Sequence, residues 1–221
     1  MLNANEERLE EVRSRTIEIL EDLTISQKLA LQALETCDSK SFEQVKVPLK
    51  QINKKADDID NLILTVCALY SPEAKDLREM IAFLKITASL QRIATNEKNY
   101  MKNMGICNPD SNEEIKRVIK ESLAINRCTI KAFEYTIEMI TETEDKDRIK
   151  DLEAKIAVEY SKTDDIYSMI EKDLLQMMHE DHQLNDAYIN LMKYIRKNLK
   201  IIDRLEDIAS RLIFARIGGT L

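Results

Sequence analysis

Between Leu77 and Ala94 the stretch SPEAKDLREMIAFLKITASLQRIAT, residues 71–95, is apolar over most of its length, yet its polar residues are not scattered. On a helical wheel at about 100° per residue, with Leu77 at zero, Arg78, Lys85 and Arg92 fall at about 100°, 80° and 60°. Ser89 and Asn96 share that sector, while Met80, Ile81, Phe83, Leu84, Ile86, Leu90 and Ile93 occupy most of the remainder. A helix apolar over that much of its circumference needs more than one covering neighbour. It is expected at the centre of a bundle, with the basic line as its outlet to water. Gln91 and Thr95 interrupt the apolar arc one turn apart. Divalent ions favour carboxylate, imidazole or thiolate, so a buried hydrogen-bond pair is the expectation there.

Breaks in the pattern divide the chain into six helices, at 4–37, 41–69, 72–104, 111–142, 145–178 and 183–217. Ser41-Phe-Glu-Gln44 and Ser111-Asn-Glu-Glu114 read as capping boxes, and Ser71-Pro72 as a cap followed by a first-turn proline. Pro48 lies inside the second segment and predicts a kink or a late start. Weaker breaks fall at TETEDKD (141–147) and HEDHQ (179–183), and Gly218-Gly219 closes the last helix. Long helices with short joints make antiparallel bundles. A helix, a tight turn and a longer helix at 41–104 recur at 145–217. A shift of about 108 residues sets Leu84-Lys85 on Met192-Lys193 and Arg92-Ile93 on Lys200-Ile201. The expected fold is all-α, two tandem antiparallel three-helix bundles, with repeats at 1–105 and 111–218 and GICNPDS as their joint.

Composition supports this and narrows the function. Three Gly, three Pro, no Trp and 33% charged residues suit long helices rather than a β-rich fold. A formal charge of −7 disfavours a general nucleic-acid binder. The N-terminus lacks an apolar signal-peptide core and no apolar run approaches a membrane span, so a soluble, cytoplasmic protein is expected. Cys37, Cys67, Cys107 and Cys128 show no CxxC spacing and are expected to be free thiols in or near the core. A second basic line, Lys193, Lys200, Arg204 and Arg211, runs along the last helix. Both lines read as solvated faces; the sharper alternative is a surface for an acidic partner or a phosphate group.

At these residues the chain resembles the PhoU family of bacterial phosphate-signalling regulators, whose third helix looks like QPVASDLR…LKI…DLERIGDHA…N. Pro72, Ala74, Asp76-Leu77-Arg78, Leu84-Lys85-Ile86, Leu90, Arg92-Ile93 and Asn99 fit without a gap. In the second half Asp164-Asp165-Ile166-Tyr167 with DLLQMMHED (173–181), and the stretch from Asp207 through Gly218, resemble the family's VDELY…ELL..M.ED and NIAEWVIYLVTG. The resemblance covers about residues 45–218. It implies two three-helix bundles in a non-enzymatic, often homodimeric regulator that couples a phosphate ABC transporter to a sensor histidine kinase and lowers phosphate uptake. The basic line Arg78, Lys85 and Arg92 would then be a partner surface.

Several members of the family bind multinuclear metal clusters through E/D-xxx-D motifs on the third and sixth helices. Here Gln91 and Thr95 stand at the two acidic positions of the first motif, and Ser89 replaces the preceding Asp. In the second, the gap-free register puts Leu199 at the Glu position, keeps Asp203 and sets Asp207 at the Asn position; a register one turn later would pair Asp203 with Asp207. Asp164 is kept, and Tyr160 stands where another Asp is usual. The resemblance therefore implies loss of the first cluster. It leaves a single divalent or iron-type ion at Asp164, Asp203 and Asp207, or an acidic patch paired with Lys200 and Arg204.

Other constellations carry less. His179 and His182 lie on a predicted turn with no third ligand nearby and read as surface residues. No ExxH pair, Walker-A run, GxSxG or Cys/His dyad is present, so no catalytic residue is nominated. Met101, Met104, Met177 and Met178 read as core filling, or as an adaptable contact surface. Beside the adaptor stand two alternatives: a metal-binding helical bundle and a purely structural helical scaffold.

Overall fold

The computed structural model describes residues 2–37, 39–104, 107, 111–180 and 182–218. Within them the chain forms α1 (Leu2–Thr36), α2 (Ser39–Val45), α3 (Ile52–Tyr70), α4 (Ala74–Asn103), α5 (Glu113–Thr141), α6 (Lys146–Glu180) and α7 (Asn185–Ile217), with no strand among the described residues. They make two tandem antiparallel three-helix bundles, α1–α3–α4 and α5–α6–α7. Pro48 splits the second expected helix more sharply than a kink would. It has no N–H and a fixed φ, so the chain leaves α2 through i→i+3 bonds (Lys46 N–H to Glu43 O, Val47 N–H to Gln44 O) and passes through a 3-10 turn at Pro48–Gln51.

The caps shift by one to three residues from their expected places. Ser71 ends α3 in the left-handed region (φ 44°) instead of starting α4, whose N-cap is Glu73. A residue ahead of proline is disfavoured in the right-handed helical region, so helix α3 stops there. Asn112, not Ser111, caps α5, its side-chain oxygen accepting from the Glu114 N–H at 2.7 Å. Asp145 caps α6 by accepting from the Asp147 and Arg148 N–H groups. Helix α2 already begins at Ser39, ahead of the Ser41 box. Most of the GICNPDS joint and Gly219 lie outside the described residues.

The core does not divide along the repeat boundary. One apolar cluster, with Leu20, Ile59, Phe83, Phe133, Ile156 and Leu205, fills the end where α3 turns into α4. The other, with Leu34, Val45, Met101, Ile119, Leu174 and Leu191, fills the opposite end. Each draws on both halves of the chain. Between them lies a buried polar layer. Gln27 donates to Asn198 (3.2 Å), Asn126 to Gln27 (3.0 Å), Asn198 to Asn126 (3.0 Å), and the Tyr100 hydroxyl also donates to Asn126 (3.2 Å). These four side chains come from α1, α5, α7 and α4, and closing the ring satisfies groups that would each cost about 1–3 kcal/mol if left bare.

The cysteine expectation is corrected at two positions. Cys37, at the end of α1, and Cys107, beyond α4, form a disulfide with Cα atoms 5.2 Å apart; Cys67 and Cys128 are free. Partners 70 positions apart leave no spacing signal, and only the fold brings them together. Beside Cys128, burial and the Glu159 carboxylate push the thiol up to about 11, so it is inert as a nucleophile at neutral pH.

Candidate functional site

Three polar constellations could carry function, and two of them were singled out from the residues. The first is the outer face of α4. Lys85 and Arg92 are exposed, as expected, whereas Arg78 is half-buried with its guanidinium against Gly218 at the end of α7. The backbone at Gly218 has φ 98°, a conformation that favours glycine, and a Cβ there would sit 3.1 Å from the mobile end of that guanidinium. Ser89 does not share the solvent sector: it is 4% exposed and donates to Asp207 on α7 at 3.1 Å. The exposed arc instead extends the other way, over Leu77 and Ile81 (each 38% exposed), Ala88 and Thr95.

That rotation also corrects the reading of Gln91 and Thr95. They are not a buried pair. Gln91 is half-buried and donates to the Asp57 carboxylate of α3 at 2.8 Å, while the exposed Thr95 hydroxyl donates back to the Gln91 carbonyl at 2.9 Å. One helical step along, Thr87 donates to Asp60 at 2.6 Å. Burial raises the Asp60 pKa, the Thr87 bond opposes this, and the neighbouring Asp57 adds to it. At the first motif, then, an amide and a hydroxyl stand where carboxylate donors would be needed.

The second constellation is an open groove of about 330 Å³ between α6 and α7. Tyr160, Asp164, Tyr167, Glu171, Arg196, Lys200 and Asp203 line it. Asp164 and Asp203 share this groove, and Asp207 does not: it turns toward α4, held by Arg211 at 2.9 Å and by Ser89. Packing raises the Asp203 pKa, Arg204 and Lys200 pull it down, and Asp164 pushes it up again. The two carboxylates share their surroundings with Arg196, Lys200 and Arg204, whose charges act on Asp203 without a direct ion pair. Such a set does not fit a multinuclear metal cluster, and among the described residues no group of three His, Cys, Asp or Glu is arranged to hold an ion. His179 and His182 are exposed at the α6–α7 turn.

The third constellation was not foreseen. Glu79 of α4, 1% exposed, accepts two hydrogen bonds from Arg13 of α1 (2.8 and 3.0 Å) and one from Arg216 of α7 (2.5 Å). Arg216 also donates to the Ile140 carbonyl of α5. Burial works against both guanidinium charges. The bonds to Glu79 outweigh it at Arg13, whose pKa rises; at Arg216 burial prevails, Arg13 adds to it, and the pKa falls. A glutamate between an arginine and a methionine resembles any surface position in sequence. Its place at about 200° on the α4 wheel, opposite Leu77 and Ile81, is the one signal that could have marked it.

These features define an all-helical protein whose most prominent polar surface is charged. Residues 17–104 match the model of the PhoU domain. A phosphate-specific transport system accessory protein PhoU homolog of Zymomonas mobilis is 28% identical over 193 residues, covering 85% of this chain and 76% of that one. In fold the chain is similar to PhoU from Pseudomonas aeruginosa (TM-score 0.85, 23% identity, 99% of this chain and 100% of that one). It is also similar to the phosphate transport system regulatory protein PhoU from Streptococcus pneumoniae (TM-score 0.73, 18% identity, 98% and 99%). The PhoU-domain match covers residues 17–104, and the likeness to the solved PhoU structures is one of fold along almost the whole chain.

Proposed function

We propose that this chain is a cytoplasmic, non-enzymatic accessory protein of phosphate transport. It acts by binding: to a component of a phosphate ABC transporter, to a sensor histidine kinase, or to each in turn, and its binding lowers phosphate uptake. The reading rests above all on the PhoU-domain match at residues 17–104 together with the transport-accessory description of the Zymomonas relative. The fold likeness along the whole chain agrees with it. Among the described residues no helix is long and apolar enough to cross a membrane. Residues 1–105 and 111–218 are the two repeat units, the working unit is a homodimer, and the docking face includes Lys85 and Arg92.

The test is capture of purified transporter ATPase and of the sensor kinase's cytoplasmic portion by the immobilised chain. Binding to at least one, altered by phosphate status when both are present, is the expected result. Failure to capture either overturns the reading.

A further inference from the structure

The two basic lines, separate in sequence, converge in the structure. Three contacts fix α4 and α7 as antiparallel neighbours in one register: Ser89 to Asp207, Glu79 to Arg216, and Arg78 against Gly218. Carried along the helices, that register sets Lys85 level with Arg211, Arg92 level with Arg204 and Asn96 level with Lys200. On α4 the polar line lies on the side of the exposed arc toward α7; on α7 Arg204 and Arg211 lie on the side toward α4, while Lys200 also lines the groove with α6. The result is one basic strip along the seam between the two repeats.

We propose that this seam is the docking site for an acidic, amphipathic helix of a protein partner. The proposal rests on the adaptor reading and names the chemistry of its partner. Charge carries the argument. From Leu77 to Asn96 the only carboxylate on α4 is the buried Glu79. On α7 the carboxylate facing the seam is Asp207, already taken by Arg211 and Ser89, while Asp203 faces the groove with α6. Among the described residues Lys85, Arg92, Lys200 and Arg204 make no salt bridge. In a chain of net charge −7, a seam that carries Lys85, Arg92 and Arg204, and whose one facing carboxylate is already bound, is complementary to an external acid.

Shape and polarity select the kind of acid. Leu77, Ile81 and Ala88 lie exposed beside the basic line, so the partner needs an apolar stripe next to its carboxylates. From Arg78 to Asn96 the strip runs about 27 Å, room for a helix of roughly five turns. The cations form a line and do not converge on a point, which suits a row of carboxylates better than a small anion. They are also too few, and too closely flanked by apolar side chains, to neutralise a duplex backbone.

The experiment uses a dye-labelled synthetic helix of about 18 residues with leucines on one face and glutamates beside them. Its affinity for the full chain is followed by fluorescence anisotropy. The wild type should bind it, more weakly as salt rises. The Lys85→Glu/Arg204→Glu variant should lose roughly tenfold or more in affinity, and a peptide with lysines for glutamates should not bind. A Lys116→Glu variant, far from the seam, should bind like the wild type. Unchanged binding by the seam variant, or duplex DNA competing as well as the acidic peptide, overturns the proposal. Capture of the transporter ATPase and the kinase separates it from the adaptor reading. A folded seam variant that captures the natural partner as well as the wild type does removes the seam and leaves the adaptor. Seam-dependent peptide binding by a wild type that captures neither partner does the reverse.

Discussion

Within about five helical turns the α4–α7 seam treats its arginines and acids in two opposite ways. At one end Glu79 sits between Arg13 and Arg216, almost wholly removed from water, with every charge answered by another. Further along, Lys85, Arg92, Lys200 and Arg204 stand in or near solvent with no salt bridge among the described residues. The residue types are similar and the environments are not. In the buried triad the desolvation of three ions is offset only if all of them remain, so the triad ties α1, α4 and α7 together as a unit. On the open strip the cations make no salt bridge, and exposed charges of this kind contribute little to folding.

The comparison breaks most visibly at Glu79. Glu79→Ala leaves the buried Arg216 facing Arg13 without its counter-ion, and a loss of about 3–5 kcal/mol in urea unfolding is expected. Replacing all three members by apolar residues of similar volume, Arg13→Met, Glu79→Leu and Arg216→Met, should recover most of that loss. If the single substitution costs as little as a surface change, the triad is wet and the contrast with the strip disappears.

Much of this could be read before the fold was known. Six helical segments, the disturbance at Pro48 and both basic lines follow from periodicity and from proline chemistry. A wheel gives angles within one helix, however, and not the direction of the core. Leu77 and Ile81 therefore looked covered and are exposed, Ser89 looked exposed and is covered, and Gln91 and Thr95 looked buried and face outward. The convergence of the two lines depends on the α4–α7 register, and the Cys37–Cys107 pairing on the return of the chain past α1; neither leaves a local trace. Glu79 and Glu97 are indistinguishable in composition from the glutamates that water solvates. Of the residues nominated for an ion, Asp164 and Asp203 line one groove, and Asp207 turns instead toward α4.

The polar layer between the two cores occupies the middle ground of the comparison. Its groups are buried like the triad but neutral. Asn126→Ala removes the residue that accepts from both Tyr100 and Asn198, and about 1–3 kcal/mol should be lost on unfolding. Glu97 lies beside this layer, 2% exposed, with no hydrogen bond to either carboxylate oxygen. Burial holds its pKa well above the ordinary value of 4.5, only partly offset by Ser26 and Gln27. Tyr100 is the other titratable side chain lining that small cavity, and burial raises its pKa too. The sign follows from proton uptake: the native state holds the Glu97 proton after the unfolded chain has released it. The contribution is complete below about pH 4.5 and is lost as pH rises toward the folded-state value. Unfolding midpoints measured between pH 5 and 8 should therefore decline more steeply in the wild type than in Glu97→Gln, which should be the more stable at the upper end.

The smallest expected effect is the most informative for the strip. If Lys85 and Arg204 are hydrated charges with no structural partner, then Lys85→Glu/Arg204→Glu should shift the unfolding free energy by no more than about 0.5 kcal/mol. The sign should be slightly favourable on α4, where no other exposed acid between Leu77 and Asn96 repels the new glutamate, and slightly unfavourable on α7 beside Asp203. Raising the salt concentration should shrink even this difference, because exposed charges farther apart than about 8–10 Å are screened near physiological ionic strength. A destabilisation of several kcal/mol would mean that these cations pair inside the fold, and the strip would then belong with Glu79 as structure. Stability unchanged, with acidic-helix binding lost, is the combination that only a surface reserved for a partner produces.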